Sequence, residues 1–165
     1  MDDKIEKWEE LSRETVFSKY GRDIQKVVYR LPNGKETDFY LKKEGPFVGI
    51  LAITKDNRVI IAKQYRPGPN EILMEIPGGV IDPEETPEQS AARELLEETG
   101  YQGDAKLVSR VFDCAYSMAN RYCIVITNCE KVAKQKLEEA EFAETILLSI
   151  PEFRNLLRSG QMTDV

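Results

Sequence analysis

At 165 residues, with 41% hydrophobic and 32% charged side chains, the chain is long enough to bury one core and too apolar to be disordered. A net charge of −6 without a basic cluster argues against a nucleic-acid surface, and no apolar run reaches the length that spans a bilayer. There is no histidine, which excludes Ser-His-Asp, Cys-His and HExxH chemistry and leaves proton transfer to carboxylates, lysine, tyrosine, cysteine or metal-activated water.

The charged start, MDDKIEKWEE, has no secretory character, so a cytoplasmic protein is expected. Strands are predicted over 14–20 and 24–31, then, after the turn Pro32-Asn33-Gly34-Lys35, over 36–42. Asn-Gly between two β-rich runs is a strong hairpin signal. A second pair, 47–54 and 59–65, flanks the Asp56-Asn57 turn, and 71–76 is a short apolar run stopped by Pro77-Gly78-Gly79. A helix follows over 87–99: Thr86 as N-cap, Pro87 at the first helical position, Gln89 completing a capping box, and Gly100 as the left-handed stop. Strands over 105–114, 122–129 and 143–150 and an amphipathic helix over 151–158 complete the pattern. Cys114, Cys123 and Cys129 form no CxxC pair and read as buried, reduced thiols rather than a disulfide framework or a zinc site.

The chemistry is concentrated on the central helix. Residues three and four apart share a helical face, so Glu94, Glu97 and Glu98 project together. Carboxylates this close repel one another unless a cation lies among them, and clustered oxygen donors suit a hard ion such as Mg²⁺, with Mn²⁺ as a substitute. Arg93 offers a permanently charged fork to orient a glutamate, and Glu85 can approach from the preceding loop. An ordinary solvated acidic face explains the helix alone, but not Gly79, Glu85 and Arg93 at their offsets from it.

Gly79, Glu85, Arg93, Glu94, Leu95, Glu97, Glu98, Gly100 and Tyr101 match the pattern G-x5-E-x7-R-E-U-x-E-E-x-G-U, with U a bulky apolar residue. In this the chain resembles the Nudix hydrolases. Gln64-Tyr65-Arg66, followed by Met74-Glu75-Ile76-Pro77-Gly78-Gly79, is similar to the ADP-ribose pyrophosphatase and nucleoside-diphosphate-sugar hydrolase branch. The resemblance implies an α/β/α sandwich with a mixed sheet and an N-terminal antiparallel β-subdomain. It implies one domain over 1–165, in which 1–45 serve dimerisation and substrate binding and 46–165 form the core. It also implies a homodimer acting on a nucleotide sugar. The metal ligands it implies are Glu94, Glu98, the Gly78 carbonyl and Glu97, with Glu85 in support. Arg93 orients them, Arg66 meets the phosphates, and the general base is Glu139, Glu141 or Glu97.

The branch usually carries a proline and glycine in the loop matching 113–121; here neither is present, so Tyr116, Ser117 and Asn120 are expected to line a differently shaped sugar pocket. Phe39 and Tyr40 are candidates for stacking on a nucleobase. The expected reaction converts ADP-ribose to AMP and ribose 5-phosphate. The alternatives are a GDP- or UDP-sugar, a dinucleoside polyphosphate, CoA or an oxidised nucleoside triphosphate as substrate, and a sensor that binds without cleaving.

Overall fold

The computed structural model of the chain describes residues 5–137 and 142–163. The chain divides into two compact units at Gly45/Pro46, with Phe112–Asn120 returning to the first.

The first unit is a three-stranded antiparallel sheet of β1 (Glu9–Lys19), β2 (Arg22–Arg30) and β3 (Glu36–Lys43), in that order. β1 begins well before the predicted residue 14. Register shifts between Glu10 and Ser12 and between Thr15 and Phe17 break its alternation, so its polar sequence carries no period-2 signal. Tyr20 and Gly21, both at positive φ, close the first hairpin, and the Asn33-Gly34 turn closes the second, with Gly34 donating to the Leu31 carbonyl at 2.9 Å. Val27 and Gln25 of β2 are buried.

The second unit holds a seven-stranded sheet. Its path runs β10 (Ala143–Ser149), β5 (Arg58–Arg66), β4 (Phe47–Thr54), β9 (Asn120–Lys131) and β8 (Tyr101–Phe112). β6 (Glu71–Glu75) adds to β5 and β7 (Gly78–Val80) to β4. β4 and β9 are parallel while β5 is antiparallel to β4, β6 and β10, so the sheet is mixed as expected. Helix α1 (Pro87–Thr99) lies on one face, where Ala91 and Leu95 join Val48, Ile50, Ala52, Ile60, Ile124 and Ile126 in the core. Val59 and Ile61, of opposite parity on β5, are fully buried on the second face, which α2 (Ile150–Ser159) covers with Leu156. The result is an α/β/α sandwich.

Both helices end as their sequences dictate. Thr86 and Ser149 each form a capping box, with Gln89 and Glu152 respectively, and Gly100 and Gly160 close them in the left-handed conformation.

Three further expectations are corrected. Gly78–Val80 is not only a stop but a strand, paired with Phe47–Gly49; two glycines carry no side-chain pattern to announce a long-range pairing. β8 starts at Tyr101, directly after the helix cap, rather than at 105. Of the cysteines only Cys129 is buried; Cys123 is half-buried and Cys114 exposed, and all three are free. Among the described residues no helix is long and apolar enough to cross a membrane.

Candidate active site

Helix α1 presents two stripes. Ser90, Ala91, Leu95 and Thr99 are buried, and Glu94, Glu97 and Glu98 line the side next to them, half-buried. The core stripe fixes the helix on β4 and β7, and this brings the acid stripe against Gly78 and Gly79. The Glu94 carboxylate occupies the space a Cβ would take at Gly79, and a Cβ at Gly78 would meet the Val48 carbonyl across the strand pair. The Gly78 amide donates to Glu98 Oε2 at 3.2 Å. Two glycines in a row thus let the peptide chain and the carboxylates approach one another where any side chain would separate them.

Arg93 ties the acids together. Its Nε and Nη2 donate to the two oxygens of Glu85, each at 2.9 Å, and its Nη1 donates to Glu94 at 2.8 Å and Glu97 at 3.2 Å. Nη2 also reaches the Val80 carbonyl at 3.2 Å and the Ser90 hydroxyl at 3.3 Å, with Asp82 at 3.8 Å. The Arg93 hydrogen bonds hold the Glu85 carboxyl below its ordinary range of about 4.5, and the same bonds, led by Glu85, raise the guanidinium pKa further. One guanidinium faces the carboxylates of Asp82, Glu85, Glu94 and Glu97, which leaves the cluster negative.

Among the described residues no three acid or thiol side chains converge as a finished metal cage, since Glu94 and Glu97 are drawn onto Arg93. The donors nonetheless fit a hard dication. They are oxygens only, and the Gly78–Gly79 strand keeps the peptide within reach of Glu94 and Glu98.

The segment after β9 is fastened to the far end of α1. Val132 and Ala133 donate to the Gly100 carbonyl, Lys136 N–H to the Glu97 carbonyl at 2.8 Å, and Gln135 Nε2 to the Glu98 and Ala143 carbonyls. The bonds to Glu97, Glu98 and Gly100 satisfy carbonyls that a helix C-terminus leaves without partners, and the bond to Ala143 ties the segment to β10. Glu139 and Glu141 lie outside the described residues.

Arg66 stands at the end of β5, 41% exposed, with its Nε and Nη2 on the carboxylate of Glu75, which is 1% exposed. Phe39, Tyr116, Ser117 and Asn120 belong to the first unit. Phe39 does not stand alone: its ring is 5.3 Å from that of Trp8 and 6.0 Å from that of Tyr29, a cluster that also occupies part of its stacking surface. Tyr40 is exposed. Tyr116 is exposed, and its carbonyl accepts from Lys42 N–H at 2.8 Å, while Met118 N–H returns a bond to the Lys42 carbonyl. The Ser117 hydroxyl accepts from Ala119 N–H at 3.1 Å, and Asn120 opens β9.

Sequence reasoning passed over Glu75 and Trp8. Glu75 was legible as an acid inside the apolar run Ile72–Ile76, at a position whose parity points inward; Trp8 was hidden in a charged segment.

A family profile described as the NUDIX domain matches residues 43–163. An ADP-ribose pyrophosphatase of Bacillus subtilis is 30% identical over 157 residues, spanning 93% of this chain and 85% of that protein. An ADP-ribose pyrophosphatase of Saccharomyces cerevisiae is 30% identical over 151 residues, 79% of this chain and 64% of the yeast protein. A crystal structure of an ADP compounds hydrolase shares the fold with a TM-score of 0.83, at 20% identity, over 99% of this chain and 89% of that one.

Proposed function

Because this chain belongs to the Nudix family and its ADP-ribose pyrophosphatase branch, we propose that it hydrolyses the diphosphate of a nucleoside-diphosphate sugar in a Mg²⁺-dependent reaction, with ADP-ribose the substrate. The observation that carries this reading is the acid stripe of α1 set against a strand without side chains, with Arg93 as its counter-charge.

Glu94, Glu98, Glu97 and the Gly78 carbonyl would hold the metal, and Glu85 would keep Arg93 in place. When bound, the metal supplies charge neutralisation at the diphosphate oxygens and activation of the attacking water. Arg66 meets the diphosphate with a charged fork suited to phosphate oxygens. Water attacks one phosphorus, its proton passes to a glutamate, and the bond from that phosphorus to the bridging oxygen breaks, giving AMP and ribose 5-phosphate. Glu139 is the first choice for that glutamate, with Glu141 and Glu97 behind it. Phe39, Tyr116, Ser117 and Asn120 are assigned to nucleobase and sugar. A homodimer in the cytoplasm is the setting we assign, with three unpaired cysteines in keeping with a reducing compartment.

Phosphorus NMR of a panel of diphosphates incubated with the protein and Mg²⁺ tests the whole reading. ADP-ribose should give two phosphomonoester signals faster than UDP-glucose, GDP-mannose or a dinucleoside polyphosphate; intact substrates throughout would reject it.

A further inference from the structure

Among the described residues Glu75 is the charged side chain that is buried. An ionised carboxylate in a strand layer is unfavourable unless its lone pairs are filled, and here they are filled from two directions. The register sets Glu75 opposite Ala62. Further along the same side of β5, Gln64 Nε2 donates to Oε2 at 3.1 Å. Arg66 folds back so that Nε lies 3.0 and 2.8 Å from the two oxygens and Nη2 lies 2.6 Å from Oε2. The remaining donor comes from beyond α2: the Thr163 hydroxyl, 2.6 Å from Oε1. The side chain of Arg66 is thus gripped along its Nε–Nη2 edge while remaining 41% exposed.

We propose that Glu75 and Thr163 are positioning residues for Arg66: the segment after α2 holds the buried carboxylate, and the carboxylate aims the guanidinium at the diphosphate. The inference rests on Arg66 being a diphosphate ligand. A guanidinium serves two phosphate oxygens only in a narrow orientation, and fixing one edge beforehand removes rotamer freedom that binding would otherwise have to restrict. The segment after α2 thereby contributes to affinity through Glu75 and Arg66.

The test titrates ADP calorimetrically in chelator-containing buffer and measures KM and kcat for ADP-ribose with Mg²⁺. It compares T163V, T163S, E75Q and R66A, and the first three again in the R66A background. Thr163→Val keeps the shape and removes the donor, whereas Thr163→Ser keeps the donor. R66A and E75Q should each weaken ADP by about tenfold and T163V by about threefold, as expected for losing or misorienting one charge-assisted contact. The losses should fall on KM rather than kcat, T163S should match wild type, and none of the three should add a loss once Arg66 is gone. Should E75Q fail to fold, the threonine pair carries the test. Wild-type ADP affinity in T163V, beside a weakened R66A, overturns the positioning role and leaves Arg66 a ligand. Equal T163V losses with and without Arg66 overturn it too, and a silent R66A overturns both readings.

Discussion

Replacing Gly79 with alanine should separate folding from turnover. The atoms an added Cβ would meet belong to the Glu94 carboxylate, the far end of a flexible side chain, and Gly79 does not need a positive φ. Swinging Glu94 away loses its 2.8 Å bond to Arg93, whose side chains are 16% and 30% exposed. After solvent screening such a bond contributes about 1 kcal/mol. Alanine offsets about 0.4–1 kcal/mol of that by stiffening the unfolded chain. The net change should stay within about 1 kcal/mol, or about 2–4 °C in melting temperature for a protein of this size. Turnover should fall by about 100-fold, the scale of misplacing a reacting-centre group by an ångström. Gly78→Ala is the contrast: its Cβ would meet the Val48 carbonyl, which is backbone and cannot swing aside. The β4–β7 pairing must then open, at about 1–3 kcal/mol. Scanning fluorimetry and phosphorus NMR at saturating Mg²⁺ read the two effects. Wild-type turnover in G79A would remove Glu94 from the reacting centre, and a G79A as unstable as G78A would refute the distinction between soft and rigid neighbours.

Glu98→Gln should keep the fold, because an amide oxygen can still accept from Gly78 N–H, yet lose about 100-fold or more in turnover with a charged ligand gone; a fully active variant rejects the assignment. Glu139→Gln should lower kcat while leaving Mg²⁺ affinity, read by titration calorimetry, at the wild-type value; an unchanged rate moves the base to Glu141 or Glu97. Glu85 has a folded pKa below its unfolded one, so its stabilisation is present above about pH 4.5 and is lost as pH falls through the lower folded value. Glu85→Gln lacks that contribution, so the melting-temperature gap to wild type should narrow on acidification, and a gap independent of pH would contradict it. Light scattering should report two subunits per particle; a monomer would remove the dimer from the proposal.

What was legible in the sequence follows from how local each signal is. Helix α1 was readable to the residue because its signals, Thr86, Pro87, Gln89 and Gly100, act within a few positions of the chain. The Asn33-Gly34 hairpin was readable for the same reason, whereas the Tyr20-Gly21 turn was not, since tyrosine is a rare choice at positive φ. β7 and the early start of β1 depend on partners distant in sequence or on bulged register, and neither leaves a period in the residues themselves. In the candidate site, helical spacing grouped Glu94, Glu97 and Glu98. It could not say that Arg93 would span Glu85, Glu94 and Glu97 at once, because that depends on where the loop before α1 brings Glu85. The Arg66–Glu75–Thr163 set joins β5, β6 and the segment after α2, and no local pattern links those residues.

The arrangement of Arg93 also explains how an acidic cluster can persist in the folded protein before any cation binds. Glu85 takes two of the guanidinium bonds and both of its oxygens are engaged, whereas Glu94 and Glu97 share a single nitrogen, at 2.8 and 3.2 Å. On the proposed reading Glu94 and Glu97, which share that one nitrogen, would be the pair to serve a bound dication. The bidentate bond to Glu85, with the Val80 carbonyl, anchors the arginine to the loop and to β7 independently of those two glutamates. Such a division needs the planar, multi-donor fork of arginine. Lysine, a single ammonium on a flexible stem, could neutralise the cluster but not hold one partner while releasing two others.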